Sequence, residues 1–301
     1  MVDYSSLPLV IDVSVYTFLF IVGLFVGSFL NVIADRSYRN ESFVRGRSKC
    51  DKCDTTLAPR DLLPLVSFYL LRGRCRYCSN PLSMSYPISE SLTGVAFVLI
   101  GVITSITKVT TPFAYLNFAY LLLILCIFIV IVLADAKYTI IPNGAIYTGV
   151  VVSILYYISN FSFRLVSIYS ALSDNDFGQY LLKVGYFNDV IKESVLDLGG
   201  VFLTAFLISL FFLALIILTK GRGMGGGDLK LGFLIGLVNG FPYAILAIFL
   251  GFVYGALYSL VLIVLKRKSI KDTIPFGPFL VLGSITALLF GVELVKIYMN
   301  I

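Results

Sequence analysis

Histidine and tryptophan are both absent from the 301 residues. Without histidine there is no serine–histidine or cysteine–histidine nucleophile pair. A histidine-bound catalytic zinc is excluded for the same reason. Acid–base work is left to carboxylates. Charge is scarce as well: Asp, Glu, Lys and Arg make up 13% of the chain, against about 25% in average soluble domains. Apolar residues reach 58%, which excludes an ordinary soluble domain. The net charge of +6 needs no nucleic-acid partner, because the basic residues cluster in loops, as in cytoplasmic loops of membrane proteins. The N-terminus also lacks the basic stretch of a cleavable signal. Asp3 and Asp12 precede the first apolar run, and no small-residue cleavage site stands out.

What is present is a series of apolar runs, several near the length that a bilayer core requires. They predict an all-α polytopic membrane protein in contact with lipid, with about eight transmembrane helices over 13–33, 88–104, 113–133, 143–158, 196–219, 229–239, 242–265 and 275–290. The 229–239 run is short. Residues 35–86 are polar, with ten Lys or Arg against five Asp or Glu. By the positive-inside rule this segment is cytoplasmic and the N-terminus is outside. Residues 160–193 are too polar for a span and would lie outside, with room for a short surface helix. No internal repeat stands out. The expected organisation is a first span over 1–34, a cytosolic four-cysteine domain over 35–87 and a multi-span domain over 88–301.

Four of the five cysteines fall in the polar loop. Cys50-x2-Cys53 and Cys75-x2-Cys78 are separated by 21 residues. Each pair can turn two thiolates onto one ion, and two pairs make a closed tetrahedral site for a structural zinc ion. An iron–sulfur centre and two redox dithiols are the alternatives. A loop this poor in apolar residues needs such a staple to fold.

Two aspartates stand at the ends of apolar runs. Asp228 follows Gly223-Met224-Gly225-Gly226-Gly227, and Asp135 closes another run at what reads as the same membrane face. Carboxylates at membrane depth are costly and mark function. Two of them at close range share one proton. The ionised member activates water, and the protonated member polarises a carbonyl. Gly223, Gly225, Gly226 and Gly227 leave an irregular backbone that admits an extended peptide. The neighbouring Lys137 and Lys230 are expected to reach for lipid headgroups. The rival from another class is a transporter or membrane scaffold, with these carboxylates carrying protons or ions.

These segments resemble the bacterial type IV prepilin peptidases. The likeness runs through Gly27-Ser28-Phe29-Leu30-Asn31-Val32 with Arg36, then both cysteine pairs, then Ser85-Tyr86-Pro87-Ile88-Ser89-Glu90. It continues through Asp135 with Ile141-Pro142-Asn143, through Gly223 to Lys230, and through Ile274-Pro275-Phe276-Gly277-Pro278-Phe279. The resemblance implies a bifunctional enzyme of the bacterial cytoplasmic membrane. As a GxGD aspartyl protease it would cut prepilin or pseudopilin leaders after glycine at the cytoplasmic face, with Asp135 and Asp228 as the dyad. It would then methylate the new N-terminal residue, using S-adenosylmethionine. A peptidase without methylation is the rival within the enzymes. The resemblance associates methylation with the 35–87 loop and its cysteine motifs, but it does not locate the methyl-donor pocket.

Overall fold

The computed structural model describes residues 7–42, 46–50, 52–109, 111–221, 224–267 and 274–299. Among them the named elements are all helical. The chain divides into two compact units, residues 1–134 and 135–301.

In the first unit α1 (Leu7–Arg39) packs along α3 (Ser85–Ile103). Small residues set their distance. A Cβ on Gly23 would stand 2.7 Å from the Gly94 Cα, so only glycine lets the two backbones come this close. Residues 40–84 join the two helices, with a 3-10 turn (Pro59–Leu62) and the short α2 (Val66–Leu70). The long α4 (Pro112–Tyr138) follows, and its last turn enters the second unit. Ile124, Phe128 and Ile131 recur along α4 at helical spacing and are buried.

The second unit holds α5 (Asn143–Ser173), α6 (Asp176–Val184), α7 (Tyr186–Leu218), α8 (Gly226–Asn239), α9 (Tyr243–Val264) and α10 (Gly277–Met299). At its centre is α8, which contacts α5, α7, α9 and α10. Leu231, Leu234, Ile235 and Leu237 are fully enclosed, so the helix is apolar all round because it meets protein on every side. A Cβ on Gly236 would lie 2.4 Å from the Ala205 Cα of α7. Glycine there is a packing requirement. Gly240, at a φ of +63°, ends α8, and Pro242 precedes α9.

Among the described residues, seven helices are long and apolar enough to cross a membrane. The short sixth run of the sequence, 229–239, is α8. Its 14 residues extend about 21 Å, less than the hydrocarbon thickness of about 30 Å. It is a buried plug within the unit rather than a full-length span. The polar 160–193 stretch is helical as well. α5 continues through it to Ser173, and α6 supplies the short helix, capped by the Asn175 side chain, which accepts from the Gly178 N–H at 2.6 Å.

Candidate functional site

The second unit brings the two aspartates together. Asp135 lies in the last turn of α4 and Asp228 in the first turn of α8, only 5% and 9% exposed. The charge of Asp135 acts on Asp228. Each carboxylate is held through Oδ2 by a backbone amide. The Gly277 N–H donates to Asp135 at 2.8 Å, and the Gly225 N–H donates to Asp228 at 3.2 Å. Both are helix-start contacts. Asp228 caps its own helix from the third position, and Gly277 opens α10.

Glycine is needed at 277 for closeness. A Cβ there would stand 2.7 Å from Asp135 Oδ2. In the sequence Gly277 belongs only to the Ile274–Phe279 run, and nothing marks it as a partner of Asp135. The contact bridges 142 positions, so no local pattern reveals it.

The glycine run is partly open. Gly225 and Gly226 are exposed, and nothing lies within 4 Å of where a Gly226 Cβ would be. Gly227 packs against Ile141, just after α4, with its virtual Cβ 3.1 Å from the Ile141 Cβ. Gly223 lies outside the described residues. Lys230 departs from expectation. Its Nζ donates to Asn143 Oδ1 at 2.7 Å, tying α8 to the start of α5 rather than to headgroups.

The first unit holds a second site. Cys50, Cys53, Cys75 and Cys78 present four Sγ atoms within 4.8 Å of one another. Cys50 Sγ and Cys78 Sγ are 3.9 Å apart. Four thiolates at about 2.3 Å from one ion would be separated by about 3.8 Å, so the cluster can hold a tetrahedral metal. The cysteines are free thiols.

The two knuckles repeat one backbone pattern, 25 positions apart. The Cys50 N–H donates to the Thr55 carbonyl, and the Cys75 N–H to the Asn80 carbonyl, at 3.0 and 2.9 Å. Leu57 bonds back to Ser48 and Leu82 to Gly73, both at 2.8 Å. Asp54 and Ser79 both have a positive φ, +56° and +58°. The bond pattern recurs here while most side chains do not, so the repeat is not visible in the sequence.

Donors surround the sulfurs. Asn80 Nδ2 donates to Cys78 Sγ at 3.6 Å. The side chain and backbone of Thr55 bring the Cys53 thiol down to about 6. Burial alone would raise Cys75, but the backbone amides of Tyr77 and Cys78 outweigh it and the thiol lies below its ordinary value. Burial raises Cys50 to about 11.

Asp61 and Glu90 brace the same loop. Asp61 accepts from Arg76 Nε at 2.6 Å and from the Tyr77 hydroxyl at 3.0 Å. Burial pushes its carboxyl up, yet Arg76, the Ala58 amide and Tyr77 together hold it below the usual range. Glu90 lies beyond the first turn of α3 and accepts the Leu65 N–H at 2.9 Å. It therefore secures the start of α2 instead of serving the dipole of its own helix.

Residues 21–104 match the model of the Bacterial Peptidase A24 N-terminal domain. The chain is 28% identical to a prepilin leader peptidase/N-methyltransferase of Bacillus subtilis over 282 residues, covering 94% of this chain and 97% of that one. It is 26% identical to a protein of the same description from Pseudomonas aeruginosa, covering 93% and 92%. A 94-residue stretch is 47% identical to one from Myxococcus xanthus, covering 31% of this chain and 28% of that protein. No solved structure matches the chain.

Proposed function

We propose, from the premise that the chain is a relative of the bacterial type IV prepilin peptidases, that it cleaves prepilin or pseudopilin leaders and methylates the new N-terminus. Similarity over nearly the whole of two relatives that carry both activities in their names supports both halves. The observation that carries the peptidase half is the buried pair Asp135 and Asp228, each anchored by a backbone amide.

The proteolytic step needs no covalent intermediate. One carboxylate is ionised and takes a proton from water as the water attacks the scissile carbonyl. The other is protonated and donates to the carbonyl oxygen. Collapse of the tetrahedral intermediate breaks the C–N bond, and the dyad passes a proton to the leaving amine. The exposed backbone of Gly225 and Gly226 supports approach of the leader as an extended strand beside Asp228. The basic 35–86 loop supports a cytoplasmic position for the loop and the cleavage site, with the N-terminus outside.

For methylation, S-adenosylmethionine would supply the methyl group to the amine that cleavage frees. The four cysteines would hold a structural zinc ion that folds the 35–87 loop. Residues 88–301 would carry proteolysis.

Mass spectrometry of a purified prepilin incubated with the protein, with and without S-adenosylmethionine, tests both halves. The expected products are a leader cut after glycine in both reactions and one added methyl group only with the donor. An intact prepilin sinks the peptidase; cleavage without methylation leaves a peptidase alone.

Gly277→Ala tests the anchoring of the dyad. The added Cβ competes with Asp135 Oδ2 for the same space. Cleavage should fall by about 10- to 100-fold through misplacement of one carboxylate. The α-helical signal and melting temperature should stay near those of the native protein. Native cleavage rates in this variant would show that the Gly277 contact does not position Asp135.

A further inference from the structure

A small cavity of about 150 Å³ opens between α5 and α7, apart from both sites described above. Arg164, Ser194 and Asp197 are on its lining. It is smaller than the roughly 300–1,000 Å³ of pockets that enclose a whole small molecule. It has room for the polar end of a ligand whose remainder stays outside.

Its depth follows from the two helices. Arg164 stands 21 residues after Asn143, where α5 begins, and Asp197 stands 21 residues before Leu218, where α7 ends. Along each helix that is about 31 Å, which matches a hydrocarbon core of about 30 Å. Arg164 Nη1 meets Asp197 Oδ2 at 3.3 Å, so both counts end at one level. The Asn143 end is on the side of the aspartates, because Lys230, two residues after Asp228, bonds to it. The cavity therefore lies at headgroup level on the opposite membrane face. Composition agrees. Beyond this level α5 carries Ser167, Ser170 and Ser173, and α7 carries Asp189, Lys192 and Glu193.

The lining offers charge of both signs. The side chains of Arg164 and Asp197 are exposed, and one long contact joins them. It leaves most of the guanidinium N–H groups and Asp197 Oδ1 for a ligand. An exposed pair of this kind contributes little stability, so a ligand can part it readily. Ser194 is buried and donates to the Val190 carbonyl at 2.8 Å, so its oxygen remains as an acceptor. A simple anion would be repelled by Asp197, and a simple cation by Arg164. A ligand that carries both charges a few ångströms apart satisfies both side chains. Phe161, Leu198 and Val201 give the cavity an apolar side.

We propose that this cavity holds the zwitterionic headgroup of a phosphatidylethanolamine-type lipid in the leaflet opposite the aspartates. The phosphate lies on Arg164, the ammonium on Asp197 and Ser194, and the acyl chains run down the apolar side. The assignment rests on the membrane reading of the chain and is independent of proteolysis and methylation.

Native mass spectrometry of the full-length protein, released from detergent micelles, reads this directly. The protein is titrated with phosphatidylethanolamine, phosphatidylcholine and phosphatidylglycerol of identical chains. One phosphatidylethanolamine per chain is expected to be retained at about tenfold lower lipid than the other two. Phosphatidylcholine has no ammonium N–H to donate, and phosphatidylglycerol has no cation for Asp197. Arg164→Gln should lower phosphatidylethanolamine retention by about tenfold, the worth of one charge-assisted hydrogen bond. Asp197→Asn should do the same and raise phosphatidylglycerol retention, because the repelling carboxylate is gone. Equal retention of the three lipids by the native protein overturns the assignment, as does unchanged selectivity in both variants. If the variants fail to fold, the selectivity of the native protein decides alone. Soluble phosphoethanolamine that displaces the lipid at equal concentration would show a site for a free metabolite and overturn the lipid assignment.

Discussion

Asp135→Asn and Asp228→Asn should each slow prepilin cleavage by about 10³-fold or more while leaving the protein folded. Asparagine has nearly the size of aspartate and keeps one side-chain oxygen. The Gly277 and Gly225 amides can therefore still donate to it. What is lost is the ability to take up and release a proton, which the hydrolysis needs from both partners. Because the carboxylates act as one unit, the double variant should be no slower than either single one. Purified variants, assayed by the rate of leader loss in mass spectra, check this. Cleavage near native rates in either variant removes that residue from the dyad. Loss of an ion or proton flux with cleavage intact would point to a transporter instead. An effect confined to one aspartate would point to an acid or base acting without the other.

The parts of this molecule carried by composition and by short spacing were legible in the sequence. Long apolar runs announced the helices, and the paired Cys-x2-Cys segments announced the cluster that the structure assembles. The neighbourhood of Asp135 and Asp228 was legible as chemistry, because costly carboxylates stood beside a glycine run. What holds them was not. The Gly277 amide reaches Asp135 across most of the second unit's length, and a backbone donor leaves no trace in residue identity. α8 misled by its length: an apolar run reads alike whether it meets lipid or four other helices. The hydrogen bond between Lys230 and Asn143 was hidden for a related reason. Charge beside a span suggests lipid unless the partner's position is known. The repeat in the knuckles escaped because only the basic residue, the cysteines and the closing leucine recur between 48–57 and 73–82.

Removing the metal should have the largest effect on the first unit. Exhaustive chelation, or Cys75→Ser, is expected to release about one zinc ion per chain and to open residues 40–84 to protease. The reasoning starts from what the loop lacks. The 3-10 turn and α2 bury no residue fully, so little apolar burial opposes chain entropy. Both knuckles keep a non-glycine residue at positive φ, Asp54 and Ser79, each costing about 1 kcal/mol or more. A structural zinc contributes about 10–16 kcal/mol at neutral pH, far more than these costs. The brace of Arg76 on Asp61, with the Arg76 side chain partly in solvent, adds too little to replace it. Methylation, which the resemblance associates with this loop, should therefore fall to background. Leader cleavage should persist, because Asp135, Asp228 and their two amide donors all lie within residues 135–301. Limited proteolysis, metal analysis and the two product masses, measured on one sample, decide it. A purified protein free of metal with residues 40–84 still protected would refute a structural metal. Cleavage lost as steeply as methylation would show that the aspartate site depends on the metal as well.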